Sequence, residues 1–449
     1  MTNPPPTVLE GTLPVTTWFH RSLRRFQRAS EWMVLVVGFS IPLATTLGEA
    51  LVGLYVYCLI SAWELPTRLK IAWRNRVCRW FLLMTGLVLL GGLWSTGPWR
   101  DVLHGVLKHR EFLYMPLFLT AFRQPWTRAW GLRAFVAGAS LLLALSYYEF
   151  LSQHDLGLAS TVGLGQGMSA GYVIFKDRII HNLLISFLSY LVADGMIRSR
   201  RWRWVLAPLL LACLGNLLFL VQGRTGYVVT GALMLLLFYQ HCGRKGLLYA
   251  GVALPLLGGI AYAGSSVVRD RVDATISQVR HHANREIGKA PDPRLEFYET
   301  SLRIFARHPL VGAGTGSFVS EYQREARLTG ARPTADPHCE YLVVATQWGL
   351  AGLTVFLGIF VASWRASREL GQAERHVAQG MLVSIGVGSL FNSLLLGFTG
   401  GLFFSYFAAL CFASLAETTA KNVTVPPLLA DGKTGSAPPA DDESHARAA

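Results

Sequence analysis

The chain has 449 residues and a formal net charge of +14 at pH 7, with 52% hydrophobic and 15% charged residues, and its mean hydropathy is +0.36. Soluble domains average about 25% charged residues, so this balance and the repeated long apolar runs exclude an ordinary soluble domain and indicate an integral membrane protein. The basic clusters alternate with apolar runs and carry no basic-aromatic nucleic-acid motif, so the positive excess reads as membrane orientation and no nucleic-acid partner is expected.

Residues 1–30 form a polar, Pro-rich and then basic segment without a signal-peptide pattern. About twelve spans are expected after it, each needing roughly 20 apolar residues to cross a bilayer. The first two run near Trp32–Leu47 and Ala50–Trp63, and a basic stretch from Arg68 to Arg79 follows. The third is Trp80–Trp94, the fourth Val102–Phe122 and the fifth Ala134–Phe150. A polar, Gly-rich loop leads to the sixth, Ile179–Met196, which ends in the dense cluster Arg198–Arg203. The seventh (Trp204–Leu220) and eighth (Tyr227–Gln240) flank the turn VQGRTG, and the ninth runs from Leu247 to about Val268. Residues 31–268 thus carry nine spans, 269–337 form one long hydrophilic insertion, and 338–417 carry the last three: His338–Trp364, Val377–Leu396 and Leu402–Leu415. Residues 418–449 have the composition of a disordered tail. With both termini in the cytoplasm, the basic clusters fall inside, and the VQGRTG turn and the insertion face the exterior.

The six cysteines are scattered and no pair has ligand spacing, so neither a disulfide framework nor a zinc site is expected. His281-His282 lacks partners at ligand spacing and reads as solvated helix surface. Within the insertion, Asp292-Pro293-Arg294 reads as a helix start, with Asp292 as the cap, and Leu295, Tyr298, Leu302 and Phe305 share one face. Arg294 beside free backbone N–H groups is a ready anion site; a surface arginine is the plain alternative. The arginines of the insertion make an exterior basic surface suited to an anionic partner or to lipid headgroups. Gly312, Gly314 and Gly316 in VGAGTGSF lack a phosphate-loop context and read as a turn that lets the chain pack closely.

Arg224 lies between two apolar spans, where a charge is usually paired or functional; a snorkelling arginine is the alternative. In the fourth span, His104, Lys108 and Glu111 fall on one helical face with Arg110 beside it, either as an internal ion pair or as a phosphate-binding wall. Lys176, Arg178 and His181 at the start of the sixth span are weaker candidates of the same kind. In TADPHCEYL, Asp336 reads as an N-cap, with Pro337 and His338 as the first two helical residues. The helix dipole there favours a neutral imidazole able to accept a proton, against the plainer reading of a capping histidine.

Three motifs in this order resemble the bacterial O-antigen ligase family, part of a wider ligase/polymerase superfamily. They are Gly223-Arg224-Thr225-Gly226 between two spans, Arg294 leading to Gly312-Ala313-Gly314, and His338-Cys339-Glu340-Tyr341-Leu342 entering the next span. Cys339 and Gln347 depart from the family's usual Asn and Glu. The resemblance implies an all-α polytopic fold with one large, mainly helical periplasmic loop and an active site facing the periplasm from the bacterial inner membrane. It implies an inverting, metal-independent glycosyltransferase without a cofactor. The donor would be an O-antigen on undecaprenyl diphosphate and the acceptor lipid A–core, with His338 as general base and Arg224 and Arg294 on the diphosphate. Lys108, Arg110, Lys176, Arg178, His181 and Tyr341 are further substrate-binding candidates. An O-antigen polymerase or a protein O-oligosaccharyltransferase shares the donor. A polymerase would carry two large basic loops where this chain has one, and a transporter would show internal repeats, which are not seen.

Overall fold

The computed structural model describes residues 14–61, 65–153, 172–221, 223–264, 266–283 and 293–415. They form helices only: α1 (Pro14–Ser40), α2 (Thr45–Ser61), α3 (Leu65–Arg74), α4 (Arg76–Leu90), α5 (Trp99–Lys108), α6 (Glu111–Leu119), α7 (Pro125–Ser152), α8 (Arg178–Arg198), α9 (Arg203–Gly215), α10 (Arg224–Gly264), α11 (Ser266–Ala283), α12 (Arg294–Arg307), α13 (Phe318–Thr329), α14 (Glu340–Ser367), α15 (Gln372–Gly388) and α16 (Phe398–Phe412). Five stretches are long and apolar enough to cross a membrane: α7, α8, Arg203–Leu220, α10 and α14. The protein is an all-α membrane protein, as its composition demands, because only helices and closed barrels satisfy their backbone in lipid.

α8 and α16 form the centre. α8 is buried along most of its length and packs on α9, α10 and α15, while α16 is buried throughout and packs on α6 and α15. Phe135, Phe187, Phe403 and Phe407 interlock there, mostly edge to face, with centroids 4.8–5.8 Å apart. α14 joins this core through α4, α12 and α15.

Several expected spans are interrupted. The fourth divides into α5 and α6 at His109-Arg110, so Lys108 and Glu111 do not share one continuous helical face. The eighth and ninth join as α10 across Gly243, whose φ of 59° bends the chain just before Arg244. The tenth is kinked at Gly349. The eleventh stops at Gly388 instead of Leu396, and an irregular segment with one 3-10 turn, Leu394–Leu396, leads into α16.

The insertion has a small core of its own, Phe297, Ile304, Phe318, Tyr322 and Ala326. The face of α12 turned to this core is Phe297, Ser301 and Ile304, whereas Leu295 and Leu302 are exposed. The expected exterior basic surface is partly neutralised, because Arg307 pairs with Glu325, Arg324 with Glu321 and Arg332 with Glu296. The glycine turn before α13 is docked into the α14 kink. Ala313 N–H donates to Thr346 O at 2.9 Å, Gly314 N–H to Gln347 O at 2.8 Å and Leu350 N–H to Pro309 O at 2.7 Å. Gly314 has a φ of +93°, and a Cβ there would lie 2.3 Å from Ser95 Cα, so only glycine fits. Its N–H groups are spent on carbonyls, which supports the packing reading over a phosphate loop.

At the end carrying Arg198, Arg244 and Arg365, a buried polar network ties three helices. Asp194 of α8 lies 2.6 Å from His376 Nδ1 of α15 and 3.0 Å from His241 Nε2 of α10, and it pairs with Arg198.

Candidate active site

The segments that carry the three motif residues are joined at the opposite end of the bundle. Asp177 starts α8 there, its carboxylate accepting Ile179 N–H at 2.8 Å and Ile180 N–H at 3.0 Å. Asn182, one turn further on, is 1% exposed and lies beneath the Gly223–Gly226 turn. A Cβ on Gly223 would fall 2.2 Å from Asn182 Nδ2, and one on Gly226 would fall 2.7 Å from Asn182 Cβ. The two glycines therefore let the turn close onto α8. The turn places Arg224 as the first residue of α10, with Nη1 3.4 Å from Thr275 Oγ1 of α11.

Arg294 is the first residue of α12, after Pro293; Asp292, expected to cap it, lies outside the described residues. Three and four residues later, Phe297 and Tyr298 reach His338. The Phe297 ring stacks near the imidazole with centroids 6.1 Å apart, and Tyr298 O–H donates to His338 O at 3.2 Å. Arg294 is thus one helical turn from the residues that hold His338, since positions three and four apart share a helix face.

His338 is not in a helix. α14 begins at Glu340, and His338 has a φ of 56°, the left-handed region. Pro337 locks its own φ and lacks an N–H, which leaves Asp336 to form an Asx turn, its Oδ1 accepting His338 N–H at 2.8 Å. The expected cap therefore acts on the loop instead of on α14. A left-handed histidine costs about 1–3 kcal/mol and persists only where its surroundings hold it, as at functional sites.

The segment between α15 and α16 joins these parts. Asn392 Nδ2 donates to Thr225 Oγ1 at 2.9 Å, and Ser393 O–H donates to Asp336 Oδ1 at 2.5 Å. Leu390 O accepts from Tyr298 O–H at 3.1 Å. Glu340 braces the segment: its N–H donates to Ser389 O at 2.9 Å and its Oε2 accepts Leu395 N–H at 2.8 Å. These bonds replace the helical ones that α15 gives up. Consecutive residues thus bind the Arg224 turn and the His338 loop. Sequence reasoning passed over Asn392 and Ser393, although an Asn-Ser pair inside an apolar run was the available signal.

The weaker candidates divide. Lys176 is 5% exposed, and its ammonium donates to Thr45 Oγ1 at 3.1 Å and Thr399 Oγ1 at 2.9 Å. These threonines begin α2 and α16, whose positive dipole ends make the position suited to an anion. Burial lowers the Lys176 pKa to about 8, against an opposing pull from Asp177. Arg110 pairs with Glu49 at 2.8 Å and lies over the Phe398 ring at 5.4 Å, so it borders the same patch. Lys108 closes α5, half-buried, and Arg178 is the first residue of α8. His181 is buried, with Nε2 2.9 Å from Asn216 Oδ1 at the start of a π-helical turn, which reads as packing. Tyr341 turns to α15, donating to Gly386 O at 2.9 Å.

Asp194, His241 and His376 offer ligand atoms within 4.8 Å of one another. Asp194 already accepts from both imidazoles and faces the Arg198 cation, an arrangement that suits a hydrogen-bond network better than a metal seat. Twelve residues of α8 separate it from Asn182, about 18 Å of helix.

No curated protein matches the chain. Residues 208–357, about a third of the chain and the stretch that carries Arg224, Arg294 and His338, match the family model described as O-antigen ligase.

Proposed function

We propose that the protein is an O-antigen ligase: an inverting glycosyltransferase that moves O-antigen polysaccharide from undecaprenyl diphosphate to lipid A–core on the periplasmic face of the inner membrane. In this reading the chain crosses the membrane about twelve times, with both termini inside. The observation that carries it is that the segment Leu390–Ser393 bonds to Tyr298, Thr225 and Asp336, which lie close in the chain to Arg294, Arg224 and His338 respectively. Separate elements carry Arg224, Arg294 and His338, and this hydrogen-bonded brace ties those elements together.

The chemistry follows from that set. Arg224 and Arg294 engage the diphosphate, as guanidinium forks suit phosphate oxygens. The acceptor hydroxyl gives its proton to His338 as its oxygen attacks the anomeric carbon. The carbon–oxygen bond to the diphosphate breaks on the opposite face, and undecaprenyl diphosphate departs with the bonding electrons. Attack opposite the leaving group inverts the anomeric centre, and the arginines stabilise the charge that develops. In the same reading Lys176, held at the starts of α2 and α16, would take an anionic group of either substrate.

The test is transfer in vitro, with purified protein, an undecaprenyl-diphosphate glycan, lipid A–core and EDTA. We expect EDTA-resistant transfer, with Arg224→Ala and Arg294→Ala each slower by about 10²–10³-fold. Elongation of the donor with no product on lipid A–core would overturn the ligase reading in favour of a polymerase.

A further inference from the structure

The two carboxylate oxygens of Asp336 have different surroundings. Oδ1 accepts His338 N–H at 2.8 Å and Ser393 O–H at 2.5 Å. The backbone is held as well: Asp336 N–H donates to Thr334 Oγ1 at 3.1 Å, and Thr334 O–H donates to Asp336 O at 2.8 Å. Oδ2 is left facing the imidazole, 3.6 Å from His338 Nδ1. That separation is outside hydrogen-bond distance, but catalytic hydrogen bonds are often long in unliganded sites and tighten when substrate binds. The imidazole is confined too, by the Phe297 ring on one side and by a backbone whose N–H and C=O are both bonded. Asp336 and His338 are each about one-third exposed, so an acceptor can reach the ring.

We infer that Asp336 is a positioning residue for His338. It takes the Nδ1 proton and leaves Nε2 as the atom that receives the acceptor's proton, while Ser393 locks the carboxylate in that pose. When the proton moves from the acceptor hydroxyl to Nε2, the carboxylate beside Nδ1 stabilises the imidazolium. A histidine's reactive nitrogen is set by the hydrogen bond its other nitrogen makes. Asp-Pro-His suits the task because the Asx turn directs a carboxylate back towards the histidine's own ring. The inference rests on the proposed role of His338 and adds to it the residues that aim the ring.

The experiment is steady-state transfer by the full-length protein in detergent, with undecaprenyl-diphosphate glycan as donor and lipid A–core as acceptor. Asp336→Asn keeps an oxygen for the Oδ1 bonds and replaces the carboxylate charge at Oδ2. We expect kcat to fall on the order of 10²-fold with both KM values within about twofold and the melting temperature unchanged. Ser393→Ala should lower kcat by a smaller factor, and Ser393→Thr should restore it. If transfer depends on His338 but Asp336→Asn keeps wild-type kcat, the inference is overturned and the proposed function stands. If His338→Ala retains full kcat, the proposed base fails and the positioning role fails with it.

Discussion

Gly223→Ala probes the way the Arg224 turn is seated. A Cβ at that position would lie 2.2 Å from Asn182 Nδ2 and 3.5 Å from its Cγ. Ordinary contact begins near 3.5 Å, so one atom must move by more than an ångström. Asn182 is 1% exposed and also lies against Gly226, so its amide has little room to swing. Overpacking of this kind costs about 1–3 kcal/mol, and the strain falls on the residue next to Arg224. We expect Gly223→Ala to lower thermal stability in detergent and to raise the donor KM. Asn182→Ala removes the obstructing amide, so the double variant should recover most of the loss, with a coupling of about 1–3 kcal/mol. The four proteins of this cycle are compared by thermal unfolding and transfer. Simple addition of the two single losses would refute the argument that the turn closes on Asn182.

Three further outcomes follow from particular contacts. Lys176 is protonated in both folded and unfolded chains below pH 8, so its burial cost is fully present there. Between pH 8 and its usual 10.5, the folded chain releases the proton first and stability rises with pH. Lys176→Met should abolish that rise in a melting-temperature series. Asp194→Ala strands two imidazoles and Arg198 in a buried network, and should cost about 3–5 kcal/mol, read by thermal unfolding, whereas Asp194→Asn should cost less. Gly314→Ala sets a Cβ against the Ser95 backbone at a φ of +93°, and should reduce the yield of folded protein on size-exclusion chromatography, with no rescue by shortening a nearby side chain.

Composition and charge alternation were enough to read an all-α membrane protein with a hydrophilic insertion late in the chain. The motif residues were legible for a related reason: an arginine or histidine beside an apolar run is costly and stands out. The glycine turn was also readable, because three glycines in five residues imply close approach. The breaks were less legible. The polar run Lys108–Glu111 stands out within Val102–Phe122 but does not by itself say that the helix divides at His109-Arg110, and Val377–Leu396 reads as one apolar run although it unwinds after Gly388.

What the sequence alone determined, then, is local: which segments are apolar, which residues are too polar to leave in lipid without a partner, and which turns require glycine or proline. Each follows from the cost of placing one residue in its immediate surroundings. Tertiary structure decided the rest, because hydrogen-bond partners far apart in the chain are set by packing and not by spacing. It drew the His338 loop to Ser393 and the Arg224 turn to Asn392, 57 and 167 residues apart. It also turned Asp336 from the expected helix cap into the carboxylate that faces the imidazole.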